Sequence, residues 1–202
     1  MYKRQSEGTY FSIKSKYVQG EEFTNPGTTA IDKKNFRAVH EWFQFRFNFE
    51  SYYKRRGTLR LGVYAEMVYS TQPFFQNYTA TKLVSPGFQP TPESQTLFIE
   101  NYHTHKFFST GLKNVINIRK NLELRIDGFI ALPYQSIHKD VNLKPYYGDI
   151  FVTKHYIGMA GLVYHTPVGP ACISINYYDK LSNPLSFMFH FGYIIFNKSA
   201  FN

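Results

Sequence analysis

Two histidines, His103 and His105, come closest in this sequence to a metal-binding pattern. In an extended strand, residues at i and i+2 point to the same face, so both imidazoles could approach one metal ion. A zinc site needs a third protein ligand, and none stands at a telling distance from this pair. The remaining histidines are dispersed: His40, His138, His155, His165 and His190. The sequence therefore predicts no metal site and no cofactor.

The sequence gives equally little support to a catalytic site with a serine or cysteine nucleophile. Serine hydrolases of the Gly-x-Ser-x-Gly type expose their serine on a strained turn between a strand and a helix, and this motif is absent. The single cysteine, Cys172, excludes an intramolecular disulfide framework and is interpreted as a small strand residue. We therefore predict that the chain has no catalytic machinery of its own.

The composition favours strands. The chain of 202 residues is 43% hydrophobic and 19% aromatic, with 20 phenylalanines and 17 tyrosines, and both residue types favour strands. No run approaches the roughly 18 apolar residues of a membrane-spanning helix, and the mean hydropathy is −0.36. These features exclude a helical membrane protein. They do not exclude a transmembrane β-barrel, because only alternate residues of its strands face lipid.

The net charge of +9 raises the question of nucleic-acid binding. Nucleic-acid-binding proteins group their basic residues into a patch or stripe, whereas the basic residues of this chain are scattered. The densest group, Lys54, Arg55 and Arg56, is predicted to lie in a tight turn, where it could contact anionic lipid head groups. We predict no nucleic-acid partner.

Alternation with period two is the main structural signal. One face of each predicted strand is apolar, and the other carries charged or polar residues. The residues predicted to face lipid are Phe43, Phe45, Phe47, Phe49, Leu59, Leu61, Ile173, Ile175, Phe189 and Phe191. Those predicted to face a barrel lumen are Arg46, Glu50, Arg60, Glu66, Glu123, Arg125 and Asp127. Charges of both signs in the lumen are equally consistent with a pore or export path and with packed ion pairs.

Loop lengths indicate the kind of sheet. About eight strands are predicted, with no helix or repeat, near residues 9–18, 37–52, 57–71, 104–119, 121–133, 153–166, 170–179 and 185–196. Short joins at 53–56, 120 and 167–169 alternate with long ones near 19–36, 72–103 and 134–152, and outer-membrane barrels have this asymmetry. Tyrosines near the predicted strand ends are placed where interfacial girdles belong: Tyr52, Tyr53, Tyr69, Tyr134, Tyr146, Tyr147, Tyr177, Tyr178 and Tyr193. The predicted fold is an all-β antiparallel transmembrane barrel segment, a single unit over residues 1–202.

Several stretches resemble the C-terminal barrel of bacterial patatin-like phospholipases, which is similar to the bacterial surface antigen or outer-membrane assembly-factor superfamily. They are residues 77–81, 85–94, 111–114, 169–180 and 189–197, and the resemblance is strongest over 57–202. The resemblance implies a sixteen-stranded barrel, of which this chain would be the C-terminal half. The 72–103 loop would then match the inward-folding sixth extracellular loop, although Gly87-Phe88 lacks the arginine that precedes the glycine in the superfamily motif. Tyr193 and Phe196 resemble the C-terminal aromatic signal for insertion.

The same resemblance implies a function. A catalytic patatin domain would lie upstream of this chain, which would anchor or translocate that domain. Asp127-Gly128 matches the family's aspartate turn in two letters only and continues as Phe129 inside an alternating strand. The expected partners are outer-membrane lipid, the barrel assembly machinery and further copies of the chain. Residues 1–7 contain no apolar signal segment, so an N-terminally truncated fragment of a bacterial outer-membrane protein is expected.

Two alternatives remain open from the residues alone. One is a self-contained eight-stranded barrel, either a small porin or an outer-membrane lipid-modifying enzyme built from serines and histidines that are distant in sequence. The other is a soluble β-sandwich or lipid-binding barrel. The reading frame upstream of Met1 would separate the leading hypothesis from the first alternative, because one requires a patatin domain there and the other a signal peptide.

Overall fold

The computed structural model describes residues 8–25, 35–167 and 169–192. Its strands are β1 (Thr9–Thr24), β2 (Phe36–Arg56), β3 (Leu59–Ser70), β4 (Lys106–Arg119), β5 (Leu122–Pro133), β6 (Gln135–Lys139), β7 (Pro145–Ile150), β8 (His155–Thr166), β9 (Gly169–Tyr178) and β10 (Leu185–Phe191). One helix, α1 (Tyr78–Val84), and two short 3₁₀ turns, Ser94–Thr96 and Glu100–Tyr102, lie between β3 and β4. The protein is therefore all-β.

Eight of the strands form one antiparallel sheet in the order β1-β2-β3-β4-β5-β8-β9-β10, and β6 pairs only with β7. Consecutive strands along the chain are thus neighbours in the large sheet, except that the β6–β7 hairpin lies in the chain between the paired strands β5 and β8. Within the described ranges, β1 and β10 are the two edges, and no hydrogen-bonded pairing joins them. The eight strands predicted from alternation are confirmed, and the described residues contain no closed barrel.

Short and long connections fall at opposite ends of the sheet, as the sequence predicts. One detail was wrong: Lys54, Arg55 and Arg56 are the last residues of β2 and do not form its turn. The turn lies at Gly57 and Thr58, because Gly57 adopts a φ of 57°, a conformation that glycine reaches without a steric penalty. A β-bulge between Tyr52 and Lys54 shifts the register of the pairing between β2 and β3.

Two predicted loops contain regular structure. The helix α1 was not expected, because its seven residues are too few to show a clear helical period. The predicted 134–152 loop contains the β6–β7 hairpin, whose pairing is interrupted by a register shift. In addition, β1 extends to Thr24, so part of the predicted 19–36 loop is strand. All three differences lie at the end of the sheet opposite the tight turns.

The core lies between one face of the sheet and the segment that joins β3 to β4. We call residues 71–105 the insertion, the sheet face that it covers the inner face, and the opposite side the outer face. Phe88, Ile99 and Tyr102 of the insertion pack with inner-face side chains such as Phe129 and Tyr178. The insertion also reaches both edges of the sheet: the Gln76 backbone N–H donates to Glu22 of β1, and Glu93 lies beside His190 of β10. The sheet therefore wraps around the insertion.

Candidate functional site

The inner face carries the charged residues of the sheet. The structure places all seven residues predicted to line a lumen on this face: Arg46, Glu50, Arg60, Glu66, Glu123, Arg125 and Asp127. Each lies at an alternating position of β2, β3 or β5. Asp127 lies in the middle of β5, opposite Lys113, and not in a turn. The structure thus gives no support to a catalytic role for the Asp127-Gly128 pair.

Most of these charges form ion pairs with one another on the inner face, within one strand or between strands of the sheet. Arg46 lies 3.0 Å from Glu66, and the Lys113 ammonium lies 2.7 Å from Glu50. Glu123 contacts Arg125 at 2.8 Å, with Arg60 3.9 Å away. Buried charges are costly unless they are paired and hydrogen-bonded. These ion pairs therefore offset the cost of a polar surface on the inner face.

Lys113 was missed at the sequence level, because β4 alternates less regularly than its neighbours. The structure places Lys113 on the inner face between Gly111 and Val115, which are also buried there. The Lys113 side chain therefore belongs to the same polar surface as the seven predicted residues.

The outer face is apolar over most of the sheet. All ten residues predicted to face lipid are placed there, with exposed fractions that reach 58% for Phe43 and 68% for Phe189. Along the described parts of β3, β5, β8, β9 and β10, no outer-face position carries Asp, Glu, Lys, Arg or His. Monomeric soluble proteins rarely expose contiguous apolar surface of this extent.

Exposed tyrosines border the apolar surface at both ends. At the long-loop end they are Tyr69, Tyr134, Tyr156 and Tyr177, and at the turn end Tyr53 and Tyr164. Tyr156 and Tyr164 are eight positions apart on β8, which at about 3.3 Å per residue spans about 26 Å along the strand. Two tyrosines predicted for a girdle lie on the inner face instead: Tyr52, which is opposite Gly62, and Tyr178, which is fully buried. Tyr193 and Phe196, the predicted insertion signal, lie outside the described residues.

Local hydrogen bonds fix the helix that begins the insertion. The Asn77 side-chain oxygen accepts from the backbone N–H groups of Thr79 at 2.7 Å and Ala80 at 3.4 Å, which caps α1. At the other end, the Ser85 hydroxyl donates to the Thr81 carbonyl at 2.6 Å. Pro86 then prevents further helix, because it has no backbone N–H to donate.

A buried lysine and a buried histidine hold α1 against the end of the insertion. The Lys82 ammonium donates to the carbonyl of His103 at 2.8 Å, and Nδ1 of His103 lies 2.7 Å from the carbonyl of Ser85. Burial lowers the pKa of Lys82 to about 8 and that of His103 to about 4. His103 is therefore neutral at pH 7 and donates its Nδ1 proton to Ser85. Its ring also lies against Gly87, where a Cβ would come within 2.8 Å of it.

The Gly87-Phe88 pair is the point at which the insertion meets the sheet. The Arg46 guanidinium donates to the Gly87 carbonyl at 3.4 Å. Phe88 is 1% exposed, and its ring lies 5.9 Å from that of Tyr102 and 6.1 Å from that of Phe107. The arginine at this contact thus comes from β2 and not from the residue before the glycine.

The tip of the insertion lies deep on the inner face, near β9 and β10. Thr91 and Ser94 form reciprocal hydrogen bonds between the hydroxyl of each and the backbone N–H of the other, both at 3.1 Å. Glu93, which is completely buried, approaches the Ser174 hydroxyl to 3.5 Å. A carboxylate oxygen of Glu93, the Cys172 sulfur and a ring nitrogen of His190 all lie within 4.8 Å of one another.

The two histidines singled out from the sequence have separate partners. His103 contacts Ser85, whereas Nδ1 of His105 lies 2.7 Å from the Tyr147 hydroxyl. Among the described residues, no group of three potential metal ligands includes either of them. The cluster that does form, Glu93 with Cys172 and His190, could not be found from spacing, because its members are far apart in the chain.

The described part of the chain contains no helix that is long and apolar enough to cross a membrane. Comparison with protein-family models, curated proteins and solved structures found no significant match. The resemblance to patatin-associated barrels therefore stays a prediction from the sequence. The structure gives the candidate site three features: an apolar outer face, a polar inner face and an insertion docked on the inner face.

Proposed function

We propose that this chain forms part of the wall of an outer-membrane β-barrel, with its outer face against lipid and the insertion inside the barrel. The most direct support is that the charged side chains of the sheet lie mainly on the inner face, whereas the outer face is apolar over most of the sheet. A charged side chain facing the bilayer centre costs about 2–4 kcal/mol, so a lipid-facing wall excludes such residues. The tyrosine rows add support, because aromatic girdles flank an apolar band of about 25 Å in such barrels. The 26 Å along β8 correspond to about 20 Å of height at a strand tilt of about 40°.

We further propose that the barrel has more strands than the eight in this chain. A closed eight-stranded barrel has an interior just wide enough for side chains. The inner face here accommodates a whole polypeptide segment, including the helix α1 and the buried tip around Glu93. Because β1 and β10 are unpaired edges among the described strands, additional strands could pair with both. The sixteen strands that the resemblance implies would provide the necessary width.

The role that fits best is to anchor or translocate an upstream patatin-like phospholipase domain, without catalysis by this chain. The docked insertion fills the interior with hydrogen-bonded and packed side chains, which fits an anchor or a gated path better than an open porin. The partners in this role are outer-membrane lipid and the barrel assembly machinery. A self-contained eight-stranded barrel remains the second candidate, but the volume of the insertion argues against it.

Fluorescence quenching by brominated lipid acyl chains tests the lipid-facing wall. The chain has one tryptophan, Trp42, which is buried on the inner face, so bilayers of brominated lipid should leave its emission unchanged. In a Trp42→Phe background, Ile126→Trp places the only tryptophan on the outer face, where Ile126 is 46% exposed. We expect strong quenching of this variant.

Equal quenching at the two positions, or a chain that stays folded and monomeric in water without detergent, would contradict the membrane wall. In planar bilayers, the docked insertion should keep ion conductance low. Large, steady conductance steps from the purified chain would instead support the small porin.

A further inference from the structure

A buried group of three potential metal ligands lies where the tip of the insertion meets β9 and β10. Glu93 is 0% exposed and Cys172 is 1% exposed, and His190 is partly buried beside them. One donor atom from each residue lies within 4.8 Å of the others. The three residue types supply a carboxylate oxygen, a sulfur and an imidazole nitrogen, and all three are common ligands of zinc.

The sheet and the insertion fix the three residues independently. Cys172 and His190 are directly opposite each other in the antiparallel register of β9 and β10, so their side chains emerge side by side on the inner face. Glu93 comes from the other direction, immediately before the 3₁₀ turn Ser94–Thr96. The reciprocal hydrogen bonds of Thr91 and Ser94 hold the backbone on either side of it.

The arrangement fits a common ligand better than a catalytic relay. In a cysteine–histidine–carboxylate relay, the thiol and the carboxylate contact different ring nitrogens and therefore lie on opposite sides of the imidazole. Here the carboxylate and the sulfur are also within 4.8 Å of each other, so the three donor atoms converge on one point. In a tetrahedral zinc site with bonds of about 2.0–2.3 Å, donor atoms are about 3.5 Å apart. Small side-chain rotations would close the remaining difference.

We propose that Glu93, Cys172 and His190 bind a Zn²⁺ ion that ties the tip of the insertion to β9 and β10. The thiol loses its proton to solvent on binding, and the resulting thiolate and the carboxylate together balance the two positive charges of the ion. Charge neutrality matters at this position because the site is buried. The sulfur ligand selects against Mg²⁺ and Ca²⁺, which prefer oxygen. Three protein ligands leave the fourth coordination position to a water molecule.

The inference is independent of whether the outer face meets lipid, because it concerns contacts within the chain only. Its consequence is mechanical. With the ion bound, the tip of the insertion is held on the inner face at its deepest point. Without the ion, only packing and hydrogen bonds hold the insertion there.

Cobalt substitution gives a direct test on the purified full chain in detergent. We expect one equivalent of Co²⁺ to bind and to produce the near-ultraviolet charge-transfer absorption of a thiolate–Co²⁺ bond, which Zn²⁺ abolishes and Mg²⁺ does not. Cys172→Ser should remove this absorption, and Glu93→Gln and His190→Gln should each weaken binding at least tenfold. Two matched controls, Glu100→Gln in the same insertion and His138→Gln on β6, should bind as the unaltered chain does.

A second measurement needs no variant. Because Cys172 is buried, alkylation of its thiol under native conditions requires local opening, and Zn²⁺ should slow that alkylation at least tenfold. The proposal is overturned if Co²⁺ shows no stoichiometric binding, or if its affinity is the same in Glu93→Gln and His190→Gln as in the unaltered chain. An alkylation rate that Zn²⁺ does not change would also overturn it.

Discussion

Replacement of Phe49 by arginine is the sharpest perturbation of the proposed lipid-facing surface. Phe49 lies on the outer face of β2 opposite Ala65, near the middle of β3. Phe45 lies on the same face opposite Tyr69, at the long-loop end of β3. If the tyrosine rows mark the membrane interfaces, Phe49 lies near the bilayer midplane and Phe45 near one interface.

The expected cost follows from this difference in depth. Arginine on the lipid face costs about 2–4 kcal/mol at the midplane and about 0–1 kcal/mol near an interface. Phe49→Arg should therefore lower the free energy of unfolding by about 2–4 kcal/mol, and Phe45→Arg by much less. Phe49→Leu measures the loss of aromatic packing alone. Asn48→Arg places the same charge on the inner face, opposite Glu66, and should cost less than about 1 kcal/mol.

Reversible unfolding by guanidinium chloride from lipid vesicles, followed by Trp42 fluorescence, provides the measurement. Subtracting the effect of Phe49→Leu from that of Phe49→Arg isolates the cost of the charge. Equal effects of arginine at Phe45 and Phe49 would refute the inferred depth. A larger effect at Asn48 than at Phe49 would show that the outer face does not meet lipid at all.

Four further predictions concern the insertion, the sheet, the edges and activity. Because burial lowers the pKa of Lys82 to about 8, the undocked insertion binds more protons than the docked one between pH 8 and 10.5. Docking should therefore strengthen as pH rises through that range. Hydrogen exchange of residues 71–105 measures the docking, and Lys82→Met should remove its dependence on pH. Gly111→Ala should lower the free energy of unfolding by about 1–3 kcal/mol, because its Cβ would lie 2.3 Å from the Phe129 ring and 2.7 Å from the Gly128 carbonyl oxygen; an unchanged denaturation midpoint would contradict this close approach. The unpaired edge of β1 should make the isolated chain associate with copies of itself in detergent, as seen by sedimentation, whereas a monodisperse monomer with β1 hydrogen-bonded to β10 would rule out the half-barrel. The purified chain should not hydrolyse phospholipid or ester substrates, and turnover that survives mutation of Asp127 but disappears on mutation of a serine or histidine would favour a barrel enzyme.

Local alternation in the sequence determined the eight strands and the two faces of the sheet. A strand turns its side chains to opposite sides at every residue, so Phe43–Phe49 and the polar residues between them specify both a strand and its orientation without reference to any distant contact. The same reasoning failed where elements are short. Seven residues of α1 and five of β6 are too few for a period to stand out, and tertiary contacts such as those of Lys82 decide their conformation.

Only the tertiary structure decided which residues meet. Alternation predicted that Arg46, Glu66 and Glu50 share one face. The positions of the strands relative to one another determine that Arg46 pairs with Glu66 and that Glu50 pairs with Lys113. The resemblance suggested that the 72–103 loop folds inward, yet no local pattern could indicate how deep its tip reaches.

The cluster of Glu93, Cys172 and His190 is the extreme case. Cys172 and His190 are neighbours because β9 and β10 pair in one register, and a shift of one residue would turn one of them to the outer face. Glu93 joins them because the insertion crosses the inner face from β3 to β10. Chemistry between residues so far apart depends on the relative positions of whole elements, and packing sets those positions, whereas the local sequence fixes only the elements themselves.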